Sequence, residues 1–201
     1  GQINTSLGYN AIVTNTTVNY NTAIGNQALS NSNASYNLAC GDYALQQNTT
    51  GSSNTAVGGG GVLSACTTGS NNTCVGSAAG DAFTTASYNT AVGVHALSTG
   101  TTTGNNTAVG YLALYDNTTG TYNTAVGAYA LDANTTTNDN TAIGKHALTT
   151  NTGSKNTALG ASALYANTTA SANSAVGYLA LYANTTGAYN NAIGAYALDA
   201  C

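Results

Sequence analysis

Four cysteines, two histidines and six aspartates are the side chains of this 201-residue chain best equipped for covalent, metal or acid–base chemistry. Their spacing does not gather them into a site. Cys40, Cys66, Cys74 and Cys201 contain no C-x-x-C pair, so a zinc site is not indicated. An even count in an oxidising compartment permits bridges. Cys66 and Cys74, inside the irregular stretch GGGGVLSACTTGSNNTCVG, are the candidate disulfide; the alternative reads Cys40 and Cys74 as small buried hydrophobes. His95 and His146 share one register but lie three repeat units apart, roughly 14 Å at strand spacing. Only a ring of chains about a threefold axis would bring them onto one metal. Glycoside chemistry needs two carboxyl groups about 5–10 Å apart. Asp116 and Asp132 are one unit apart and Asp132 and Asp199 four, with nothing else to support a pair. No Ser/His/Asp set shares a register. The chain reads as a non-enzyme without a cofactor.

What the sequence does repeat is NTAVG, at 54–58, 89–93, 106–110 and 123–127, with NTAIG at 21–25 and 140–144 and NTALG at 156–160. A catalytic motif is needed once; a motif used many times builds something long. The closing glycines are Gly8, Gly25, Gly41, Gly58, Gly76, Gly93, Gly110, Gly127, Gly144, Gly160, Gly177 and Gly194, at intervals of 16 to 18 residues. A fixed short period marks a repeat architecture. The consensus is N-T-A-V-G-x-x-A-L-x-x-N-T-T-G-x-Y. Four residues before each glycine stands Asn4, Asn21, Asn37, Asn54, Asn72, Asn89, Asn106, Asn123, Asn140, Asn156, Asn173 or Asn190. Ala precedes the glycine by two in ten units, and follows it by three in all but the unit with Gly61.

Seventeen residues are too few for two helices and their turns, and Thr, Asn, Gly and Val are weak helix formers. TAVG and YALY suit short strands, and NTTG suits a turn. The expected fold is therefore all-β: a parallel β-solenoid, or β-roll, of twelve coils of about 17 residues with two short strands each. It forms a single repeat domain over 1–201, irregular around 58–88. Twelve coils at about 4.8 Å give a rod of roughly 55–60 Å. The twelve asparagines are expected to form a ladder, each side-chain amide donating to the next one's carbonyl.

Composition excludes some partners. Two lysines and no arginine cannot neutralise a nucleic-acid backbone. No apolar run is long enough for a transmembrane helix, so membrane insertion is not expected, and no charged-then-apolar leader opens the chain. Within TAVG, alternation places Ala and Gly on one face and Thr and Val on the other. If Ala and Gly line a narrow lumen, a Val/Leu stripe faces out, which monomers seldom leave exposed. Copies of the chain are the expected cover, the more so with only 4% charged residues.

The units, for example NTAVGAYALDANTTTNDNTAIGKHAL, resemble the head repeats of trimeric autotransporter adhesins, which read roughly N-S-V-A-I-G-x-x-A, and resemble bacteriophage tail-fibre repeats still more. The unit here is longer, because NTTG adds residues at one turn. The resemblance implies a β-roll, a homotrimer, an extracellular location and an adhesive or receptor-reaching role. Gly1 and Cys201 fall almost in phase in the same turn, so the chain reads as a segment of a longer fibre or as a unit that stacks head to tail into a filament.

Two alternatives stay open. Thr stands three before the glycine in nine of the twelve units, an array suited to ice binding. Tyr rows (Tyr111, Tyr115, Tyr178 and Tyr182; Tyr20, Tyr36, Tyr88, Tyr122 and Tyr189) could stack on cell-surface glycans or simply cover the roll. Ten N-x-S/T sequons occur, at Asn4, Asn15, Asn33, Asn48, Asn71, Asn105, Asn117, Asn134, Asn167 and Asn184; six share the NTT turn register and would line one edge with glycans in a eukaryotic source.

Overall fold

The computed structural model describes residues 3–13 and 18–200; Gly1, the sequon asparagine Asn15 and Cys201 lie outside them. β-Branched Thr and Val or Ile flank a small Ala in half of the units, close variants such as LAC, TAL and NAI stand in the rest, and each triplet forms one three-residue strand. These run from β1 (Thr5–Leu7) and β2 (Thr22–Ile24) through β7 (Thr107–Val109) and β8 (Thr124–Val126) to β12 (Asn191–Ile193). All twelve pair parallel in strict chain order in one sheet. Register is uniform: Thr107 pairs with Thr124, Ala108 with Ala125 and Val109 with Val126. The chain is a β-solenoid.

Each described coil carries one strand, not two. In the segment after the glycine, expected as the second strand, alternate residues take left-handed φ: Tyr129 at 59° and Leu131 at 52°, with equivalents in most coils. That backbone cannot be a β-strand. It still ties coil to coil, because Tyr129 N–H donates to Tyr111 O in the coil before at 2.9 Å and Leu131 N–H to Ala147 O in the coil after at 3.1 Å. A third left-handed position precedes the ladder asparagines from Asn21 to Asn190, as at Tyr122 (φ 59°). In all, 33 described non-glycine residues have positive φ, each costing on the order of 1 kcal/mol locally. Coil-to-coil hydrogen bonding and burial offset this.

The strand's middle Ala points inward and is fully buried (Ala108, Ala125, Ala142), as are the second Ala and the Leu that follow the glycine (Ala130, Leu131). The expected Val/Leu stripe therefore divides. Leu fills the core, while the Val/Ile column stays on the outer face, half-buried at Val109 and exposed at Ile24, Ile143, Leu159 and Ile193. The repeat glycine has no room for a side chain: a Cβ on Gly127 would lie 2.6 Å from the carbonyl of Gly144, and its φ is 135°.

The irregular stretch stays in the sheet, with Ala56 pairing Cys74 and Cys74 pairing Ala91. The extra residue is taken up by glycines. Leu45 N–H donates to Val62 O as Leu29 N–H does to Ala44 O, so Val62 fills the inward Ala position and Leu63 the core Leu position. Gly61 is thus part of an insertion and not an Ala substitute. One coil on, Gly80 replaces the core Leu, and Phe83, fully buried, fills the space. A Cβ on Gly80 would lie 3.1 Å from the Phe83 ring, and one on Gly100 the same distance from its other edge.

Candidate functional site

The twelve ladder asparagines are brought together as a continuous column running from Asn4 to Asn190, and all those between are buried. Its principal bond differs from the amide-to-amide expectation. The backbone N–H of each asparagine donates to Oδ1 of the one before: Asn21 to Asn4 at 2.9 Å, Asn123 to Asn106 at 2.9 Å, Asn190 to Asn173 at 2.9 Å. Nδ2 meanwhile donates forward to a carbonyl of the next coil, as from Asn106 to Gly120 O at 2.9 Å and from Asn156 to Ala170 O at 2.8 Å. Direct Nδ2–Oδ1 contacts occur at some steps only, for example Asn72 to Asn54 at 3.1 Å. Most of these side chains staple their coil to the next through both amide ends; Asn140 and Asn173 instead turn Nδ2 back, to Oδ1 of Asn123 and Asn156.

A second buried column, missed as a ladder in the sequence, is the amide-to-amide one. It is built from the NTT asparagines, seven residues after the glycine. Asn134 Nδ2 donates to Asn117 Oδ1 at 3.2 Å, Asn167 to Asn151 at 2.8 Å and Asn184 to Asn167 at 3.0 Å. Asn48, Asn117, Asn134, Asn167 and Asn184 are thus core residues. The described NTT sequons do not present an edge of exposed glycan acceptors. Asn in seven of twelve units at one register was the available signal. The threonine that follows forms its own rank: Thr118 Oγ1 donates to Thr135 O at 3.1 Å and Thr168 Oγ1 to Thr185 O at 3.0 Å.

Cys66, Phe83 and Gly100 interrupt the second column, occupying its asparagine position in three successive coils. Cys66 and Cys74 are buried free thiols. Burial pushes Cys66 up to about 11, against a hydrogen bond with the Gly69 backbone. Cys74 is pushed higher still, by burial and then by the nearby Cys66. Cys40 is also free and sits in the outer Val column.

The outer sheet face carries two parallel columns, Thr and Val. The strand threonines (Thr55, Thr90, Thr107, Thr124 and their equivalents) make no side-chain hydrogen bond within the chain, unlike those of the NTT turns. On a neighbouring surface, rings form a stack along the rod. Tyr111 meets Tyr129 edge-on at 5.3 Å, Tyr129 stacks on His146 at 4.9 Å, His146 meets Tyr165 at 6.0 Å, and Tyr165 stacks on Tyr182 at 5.2 Å. Tyr129, Tyr165 and His146 were not in the expected Tyr rows. Several ring faces here are turned on one another and not to solvent.

The titratable residues assemble two similar pairs. Each histidine lies one coil above an aspartate fourteen positions earlier. Ser98 Oγ donates to Asp81 Oδ1 at 2.6 Å and lies 3.5 Å from His95 Nδ1. Here Ser98 gives its proton to the carboxylate, the reverse of an imidazole-activated nucleophile. In the second pair, Thr149 Oγ1 donates instead to Tyr129 O at 3.1 Å, and Asp132 Oδ1 and His146 Nδ1 are buried without partners. Burial raises the Asp132 carboxyl, Asp116 adding to the effect and His146 opposing it. Among the described residues no three His, Cys or acidic side chains converge on a metal position, and no helix is long and apolar enough to cross a membrane. Comparison with family models, with curated proteins and with solved structures finds no match to this chain.

Proposed function

We propose that this chain is a non-catalytic structural and adhesive shaft of an extracellular fibre, working as copies of itself in a homotrimer or a head-to-tail filament. One observation carries the reading: the Val/Ile/Leu column runs along the outside of the whole sheet while the core is already closed by Ala, Leu and Asn. A continuous apolar column on a chain with 4% charged residues invites association with like surfaces. The likeness of the repeat to adhesin heads and tail fibres points the same way. Length, stiffness and repeated display of one surface are what such a rod supplies. The head-to-tail version involves Gly1 and Cys201, which lie outside the described residues.

Light scattering with negative-stain imaging tests this. Short rods of threefold mass support the trimer, and long unbranched filaments support stacking. Replacing Val109 and Val126 by Asp should dissociate the trimer. A monomer that keeps its fold overturns both forms of assembly.

A second reading, ice binding, is favoured by the unpartnered hydroxyls of the strand threonines, repeated at coil spacing beside the Val column. Thermal hysteresis that vanishes in T107Y/T124Y would support it. A glycan-binding role for the tyrosines has less support, since stacked rings leave fewer faces for a sugar.

A further inference from the structure

We propose that Tyr20 and Tyr36 form an oxidative cross-linking site, at which a one-electron oxidant couples the two phenols into an intramolecular dityrosine. The two rings stack with centroids 5.1 Å apart and planes 11° from parallel. Both are more than half exposed, 53% and 61%, so an oxidant in solution reaches either. Their alignment comes from the backbone. Both take left-handed φ, 62° and 66°, at the same register of adjacent coils, so their side chains leave the rod in the same direction. Tyr20 N–H donates to Ile3 O at 2.7 Å and Tyr36 N–H to Asn19 O at 3.3 Å, which pins each residue to the preceding coil.

The chemistry balances with a peroxide as oxidant. Each phenol loses one electron and one proton to give a phenoxyl radical. The radicals join through ring carbons ortho to oxygen, and the two ortho hydrogens move to the oxygens as the rings regain aromaticity. One C–C bond forms, two hydrogen atoms leave the protein, and one hydrogen peroxide becomes two waters. Radical coupling is second order, so a partner already held in contact outcompetes one that must diffuse in, the advantage of proximity.

The same column holds its own controls. Tyr88 and Tyr122 share the backbone conformation and are equally exposed, at 63% and 62%. Asn105 stands in the coil between them, so their rings are two coils apart, roughly 9–10 Å. They should couple only between molecules. The product at Tyr20–Tyr36 would be a covalent staple across one coil boundary.

The test treats the purified chain, at low concentration, with a haem peroxidase and hydrogen peroxide. The monomer-sized product is then followed by dityrosine fluorescence, intact mass and peptide mapping. Expected is a mass loss of two hydrogens and a cross-linked peptide pair containing Tyr20 and Tyr36. Y20F and Y36F should each abolish most of the monomer fluorescence, and Y88F should leave it unchanged. Circular dichroism on Y20F confirms that the fold persists. Coupling unaffected by Y20F, dityrosine confined to covalent dimers, or a monomer cross-link that maps to Tyr165–Tyr182 with Tyr20–Tyr36 unlinked would overturn the proposal.

Discussion

The backbone N–H of Asn140 donates to Oδ1 of Asn123, one coil away, at 3.0 Å, while Asn123 Nδ2 donates to Thr137 O at 2.8 Å. One buried side chain thus satisfies a donor and an acceptor of the next coil. Asn123→Ala strands both in the core. Leaving a buried polar group unpaired costs about 1–3 kcal/mol, so the variant should lose about 2–5 kcal/mol in chemical denaturation. Asn123→Asp keeps the acceptor but sets a buried carboxylate against the Thr137 carbonyl, and should be at least as destabilising at neutral pH.

Gly127 is the tightest kind of position in the fold, with positive φ and the Gly144 carbonyl where a Cβ would go. Gly127→Ala should destabilise by about 2–5 kcal/mol, from strained backbone and overpacking together. Gly59, whose Cβ would meet nothing within 4 Å and whose φ is not in the left-handed region, should accept Ala within about 0.5 kcal/mol. Equal effects at the two sites would contradict the coil stacking described.

Phe83, Gly80 and Gly100 are a matched set. Phe83→Ala should cost about 3–5 kcal/mol, the range for a buried ring. Gly80→Leu alone should also destabilise, because its side chain would enter space held by Phe83 and the Cys74 thiol. Gly80→Leu with Phe83→Asn restores the repeat consensus at both positions, and the pair should be more stable than the sum of its singles predicts. A double-mutant cycle reads the coupling.

Cys66 and Cys74 should resist alkylation in the native rod, since only the thiolate reacts and burial keeps both protonated. Iodoacetamide at pH 8 followed by peptide mapping should modify them only after denaturation. A Cys66–Cys74 disulfide in the non-reduced map would contradict the free thiols described.

Burial raises the folded-state pKa of Asp132 above its ordinary 3.8, so the folded chain holds this proton more tightly than the unfolded one. The resulting stability is fully present below 3.8 and is lost as pH rises through the raised folded value. Asp132→Asn should therefore raise Tm at neutral pH, and its advantage should shrink as pH falls through the raised folded value and be gone below 3.8. A Tm difference constant with pH would remove Asp132 from the acid response.

The period, the parallel stacking and the ladder position were legible because Asn, Ala and Gly recur at fixed offsets in NTAVG. The conformation after the glycine was not. Left-handed φ is ordinarily signalled by Gly or Asn, and here Leu131, Leu148 and Leu164 adopt it with nothing in their chemistry to say so. Alternating apolar residues there looked like a strand for that reason. The NTT asparagines read as turn formers, because a polar cluster beside Gly is the usual turn signature. Their burial follows from coil stacking, which no single unit reveals. The Asp81–Ser98 bond escaped notice because its partners lie 17 residues apart in different coils.

Strict sequential pairing of the strands also settles how this rod carries force. The coil-to-coil bonds lie along its length, so a pull from end to end loads all the bonds across one boundary in parallel and successive boundaries in series. Such a beam holds only as much as its weakest joint. Among the described residues the second amide column is interrupted at Cys66, Phe83 and Gly100, and a tear under tension is expected to open there.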